Sequence, residues 1–66
     1  MRIEVNGEER EVPAGLNLQT LLEHLSLPQQ RVAVELDRKV IRKADLTNTF
    51  VEKGARIEIV HFVGGG

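Results

Sequence analysis

Polarity alternates from the first residue. Met1, Ile3 and Val5 are apolar while Arg2 and Glu4 are charged, and a period of two predicts a half-buried β-strand. Asn6-Gly7 follows, a pair that readily takes the positive φ angles of a tight type I′ turn, so the chain is expected to return at once as a hairpin. The second strand, residues 8–12, carries Glu8, Glu9, Arg10 and Glu11. Such charge discourages pairing with other chains and predicts a sheet edge, which leaves the first strand in the interior.

Pro13-Ala14-Gly15 interrupts this pattern, after which Leu18, Leu21, Leu22 and Leu25 recur at the spacing of one helical face. Asn17 is the expected N-cap, and Pro28 predicts that the helix stops near Ser26. Burying each leucine is worth roughly 1.5–3 kcal/mol before entropy is counted. Val32, Val34 and Leu36 then alternate with Ala33 and Glu35 to predict a third strand. Val40-Ile41 reads as a short fourth strand across a turn at Asp37-Arg38 that its residues specify only weakly. Residues 44–54 lack clean periodicity; Leu46 and Phe50 are expected to pin them to the core as a loop or a single helical turn. Gly54 marks the entry to a last strand over 56–63. The order β-β-α-β-β-β predicts an α+β roll, one helix across one face of a mixed sheet of four or five strands. Periodicity alone does not say which strands pair.

With 66 residues, 41% of them hydrophobic, the chain makes one domain near the lower size limit for stability by burial. It has no cysteine, so the core rests on Leu, Ile and Val. Nine basic and ten acidic residues are spread along the chain, and the only aromatics are Phe50 and Phe62. This composition excludes a nucleic-acid binder, which needs clustered cations and stacking rings. The densest basic stretch, Arg38-Lys39 with Arg42-Lys43, reads either as a docking surface or as a solvated hairpin. Neither a signal segment nor an apolar run of membrane-spanning length is apparent, so a cytoplasmic, membrane-free protein, monomeric when free, is expected. Ser26 is the single serine, and neither His24 nor His61 has partners at metal-binding or catalytic spacing. No catalytic set, metal site or bound cofactor is expected, and the chain reads as a carrier or binding protein rather than an enzyme.

The last strand departs from simple alternation. Ile57 and Ile59 should face the core and Arg56 and Glu58 the solvent, but continuing the alternation puts Val60 and Phe62 on the outer face and His61 on the core side. Val60, Phe62 and the adjoining Val63 are therefore a candidate partner interface. Gly64-Gly65-Gly66 follows directly, so the chain divides into a folded body, 1–63, and a tail, 64–66. Glycines alone fit either a frayed end or a delivered tail. Three extended residues reach about 10 Å, and Gly64 and Gly65, lacking a Cβ, give clearance in a narrow channel. Ordering them costs about 1–2 kcal/mol per residue. The chain has no Gly-Lys-Ser/Thr phosphate loop.

The stretches Ile3-Glu4-Val5-Asn6-Gly7-Glu8, Leu21-Leu22, Val32-Ala33-Val34-Glu35-Leu36 and, above all, Arg56-Ile57-Glu58-Ile59-Val60-His61-Phe62-Val63-Gly64-Gly65-Gly66 resemble the ubiquitin-like β-grasp proteins. Within these the chain resembles the sulfur carriers of thiamine biosynthesis, the ThiS family, over essentially its whole length. The resemblance implies strand order 2-1-5-3-4. It also implies that a ThiF-like enzyme uses ATP to adenylate Gly66, that sulfur from a cysteine desulfurase pathway yields a Gly66 thiocarboxylate, and that thiazole synthase takes the sulfur. Asp37-Arg38 stands where such proteins often have an Asn-Gly-like turn, and three glycines stand where two suffice. A molybdopterin-synthase-type carrier, a ubiquitin-like protein modifier and a β-grasp binding module remain as alternatives.

Overall fold

The computed structural model of the chain describes residues 1–62. Its elements are β1 (Arg2–Val5), β2 (Glu8–Glu11), α1 (Leu18–His24), β3 (Val32–Leu36), β4 (Lys39–Ile41) and β5 (Arg56–His61), with single 3-10 turns at Gln29–Arg31 and Lys43–Asp45. The five strands form one sheet in the order β2-β1-β5-β3-β4. β1 and β5 run parallel at its centre, and the other neighbours are antiparallel. This is the expected β-grasp, with the fifth strand present. The expected tail, 64–66, and Val63 at the end of the expected body lie outside the described residues.

Local chemistry accounts for most of the boundaries. Asn6 (φ 51°) and Gly7 (φ 82°) both take the left-handed region that a type I′ hairpin requires. Beyond β2, the Val12 N–H donates to the Met1 carbonyl at 2.8 Å, so the outer strand stays anchored after its charged residues end. Asn17 caps α1: its Oδ1 accepts from the Thr20 N–H at 2.8 Å, and the Asn17 N–H donates to Thr20 Oγ1 at 2.9 Å. The reciprocal pair satisfies two donors that a helix start leaves orphaned. The helix gives way at Leu25, and Ser26 takes φ 60°.

One sheet face meets the helix. Ile3 and Val5 from β1, Val32 and Val34 from β3, and Ile57 and Ile59 from β5 are buried with Leu18, Leu21 and Leu22 of α1. Leu25, the last member of the predicted stripe, is only half-buried at the rim.

The 44–54 segment corrects one expectation. Leu46 is buried as anticipated, but Phe50 is 60% exposed and Val51 takes the core position. The segment is extended where Phe50 bridges Asn17, with the Val51 N–H bonded to the Leu16 carbonyl and the Leu18 N–H to the Thr49 carbonyl. Successive side chains of an extended segment point to opposite faces, so Phe50 and Val51 cannot both turn inward.

Candidate functional site

The far end of β5 gathers the features that the sequence singled out. β3 lies along β5 from Leu36 opposite Ile57 to Val32 opposite His61. One further bond, from the Phe62 N–H to the Arg31 carbonyl at 2.9 Å, carries the attachment past the strand. On the other flank β1 pairs only at Glu4 with Arg56 and Val5 with Ile57. There the Asn6 side chain takes over: its Oδ1 accepts from the Ile59 N–H at 2.7 Å, and its Nδ2 donates to the Ile59 carbonyl at 3.2 Å.

On the face away from the helix, Val60 is 60% exposed and Phe62 58% exposed, in the positions that alternation assigned them. Val60 stands opposite the half-buried Ala33. Glu35 and Glu58 face each other one step further along the same face. Like charges opposite one another cost stability, and here they place two carboxylates at the border of the apolar pair. Lys43 closes the other side, its Nζ 5.9 Å from the centre of the Phe62 ring and 3.1 Å from the Gln30 carbonyl oxygen that accepts from it. A cation over a ring at an exposed site is worth about 0.5–1 kcal/mol, enough to bias the ring toward one position.

His61 lies on the core side of the sheet, opposite the buried Val32, but at the sheet's end it is exposed. It borders a shallow cleft with Val5, Leu25, Leu27 and Ile59. His24, the last residue of α1, is exposed too. Among the described residues no three His, Cys, Asp or Glu side chains converge to hold a metal ion. No helix among them is long and apolar enough to cross a membrane.

The basic stretch does not form one patch. Arg38 occupies the β3–β4 turn and Lys39 pairs with Leu36 beside it, whereas Arg42 and Lys43 follow Ile41 at the opposite end of β4. Arg42 is bonded to Asp45 at 3.3 Å, and Lys43 belongs to the Phe62 end of the sheet. Asn6 was legible as a turn residue only. An Asn-Gly pair signals backbone conformation, and nothing local shows that its side chain bonds a residue 53 positions away.

Comparison with known proteins places this arrangement. The model of the ThiS family matches residues 3–66. The crystal structure of the thiamine biosynthesis protein ThiS from Geobacter metallireducens superposes with a TM-score of 0.86 at 35% identity, covering all of both chains. A thiazole synthase of Paramagnetospirillum magneticum is 36% identical over 66 residues, all of this chain but 20% of the relative; the chain thus spans about a fifth of the length of that enzyme. An uncharacterized protein, ycf40, of Porphyra purpurea is 31% identical over 64 residues, which cover 97% of this chain and 90% of the relative. With its strand order, its capped helix and a match that runs through the terminal glycines, the chain belongs to the ThiS family, on a ubiquitin-like β-grasp fold.

Proposed function

We propose that the chain is a sulfur carrier for the thiazole moiety of thiamine, and that the Gly66 carboxylate is the group activated and loaded. The observation that carries this reading is the family match, which extends from residue 3 through Gly66 and so includes the glycines as well as the folded body. The relatives' names, thiamine biosynthesis protein and thiazole synthase, agree with it.

A carboxylate is a poor electrophile, so the chemistry has to begin with activation. In the active site of a ThiF-like adenylating enzyme, a Gly66 carboxylate oxygen attacks the α-phosphorus of ATP; pyrophosphate leaves and an acyl-adenylate forms. The terminal sulfur of a persulfide from a cysteine desulfurase pathway then adds at the acyl carbon and AMP departs; a thiol cleaves the S–S bond so formed, itself ending as a disulfide, and leaves the thiocarboxylate. Thiazole synthase takes the sulfur and returns the carboxylate. The carrier is a cosubstrate that binds no cofactor of its own, and Gly64 and Gly65 let the tail pass where a Cβ would clash. Val60, Phe62 and Val63 form the docking surface at the base of the tail. The exposure of Val60 and Phe62 supports this, and Glu35 and Glu58 beside them suit a partner with an apolar pocket and a basic rim.

Intact mass tests the reading. Incubated with the adenylating enzyme, ATP and a sulfur source, the chain should gain a species in which one terminal oxygen is replaced by sulfur. Conversion of a known carrier in parallel, with none of this chain, would overturn the proposal.

A further inference from the structure

The parallel ladder between β1 and β5 ends before β5 does. The Glu4 N–H donates to the Ala55 carbonyl and the Asn6 N–H to the Ile57 carbonyl, each at 2.9 Å. The next rung calls for a carbonyl on the β1 side to accept from the Ile59 N–H, but there the main chain has already turned into the hairpin at Asn6 and Gly7. The Asn6 side chain occupies the vacated place, accepting from the Ile59 N–H at 2.7 Å and donating to the Ile59 carbonyl at 3.2 Å. A primary amide presents an acceptor oxygen and an N–H donor in one plane, as a peptide unit does. One side chain therefore substitutes for the missing peptide of β1.

We infer that Asn6 is a positioning residue for delivery of the tail. The inference rests on the carrier reading. By pairing Ile59 on the flank that β3 does not reach, the amide keeps the end of β5 in the sheet, so that Val60 and Phe62 present one surface. Without the amide, both main-chain groups of Ile59 on that flank lose their partner, and the end of β5, then held from the β3 side alone, frays more readily. A partner that binds only the paired form then meets a smaller competent fraction. Its KM rises by the inverse of that fraction, while kcat, measured at saturation, is unchanged.

Three variants separate this role from a merely structural one. Asn6→Gly keeps a residue at ease with positive φ and removes both bonds. Asn6→Asp keeps a turn former and the acceptor for the Ile59 N–H. Asn17→Ala removes the α1 cap, lowering stability without touching β5. Amide hydrogen exchange at Ile59, thermal unfolding, and KM and kcat for pyrophosphate release by the ThiF-like enzyme are measured well below the unfolding temperature. For Asn6→Gly, Ile59 protection should be nearly abolished and KM should rise about tenfold, the value for a competent fraction of about one tenth, with kcat unchanged. Asn6→Asp, which keeps the acceptor but sets a second oxygen against the Ile59 carbonyl, should recover only part of both, and Asn17→Ala should lower the unfolding temperature with KM unmoved. Unchanged Ile59 protection in Asn6→Gly overturns the clamp, since that arm needs no partner. Lost protection with an unchanged KM, or an equal rise in KM for Asn17→Ala, overturns the positioning role alone. A wild-type chain that is never adenylated overturns the carrier reading and this role with it.

Discussion

At its start β5 is held by Asp37, whose Oδ1 accepts from the Arg56 N–H at 3.0 Å; at its far end it is held by Asn6, whose Oδ1 accepts from the Ile59 N–H at 2.7 Å. Both side chains come from hairpin turns with two consecutive residues at positive φ, Asn6-Gly7 at 51° and 82° and Asp37-Arg38 at 50° and 73°. The sequences of the two turns differ in what they tolerate. Asn-Gly adopts this conformation at little cost, whereas an arginine there is disfavoured by about 1–2 kcal/mol. The second turn is held by its tertiary bonds, including one from the Asp37 N–H to the Arg56 carbonyl at 2.8 Å. A strained turn thus sits at the end of β5 away from the apolar pair, and an unstrained one at the end where Val60 and Phe62 are presented.

The largest effect should come from the residue that both ends share. Ile57, fully buried between them, should cost about 2–5 kcal/mol of unfolding free energy when replaced by Ala. Denaturant titration reads this, and a loss below about 1 kcal/mol would show that the core closes over the site left by Ile57. Phe62→Ala should weaken binding to the adenylating enzyme by about 2 kcal/mol, seen by calorimetric titration, while folding stability changes by no more than about 1 kcal/mol, the value of the Lys43 contact. Asp37→Ala should show the reverse, with about 1–3 kcal/mol of stability lost, from the bond to Arg56 and from placing Ala at a positive φ, and binding unchanged. If Asp37→Ala weakened binding as much as Phe62→Ala, the contrast between the ends would fail. The smallest change is expected for Arg38→Gly, which relieves the left-handed strain but adds unfolded-state entropy. Its net effect should be stabilising by less than about 1 kcal/mol, and a lowered unfolding temperature would show that the turn is unstrained.

Much of the frame was legible in the residues. The alternation in β1, the leucine stripe, the Asn17 cap and the Asn-Gly turn are local signals, each read within one element, and the structure follows them. Phe50 was not legible, because hydrophobicity marks a residue as suited to the core without saying which of two neighbours faces it. Register against Asn17 chose Val51. The basic residues 38–43 look continuous along the chain, yet β4 carries them to opposite ends of the hairpin.

The sequence by itself determined the elements, the face each one buries and, through the resemblance carried by its last eleven residues, the family. Those are consequences of local conformational preference and of the period of apolar positions. Only the tertiary structure decided that Asp37 and Asn6 grip the two ends of β5 and that Lys43 lies over Phe62. Contacts of this kind join residues far apart in sequence, and they exist only once the sheet has brought the strands together.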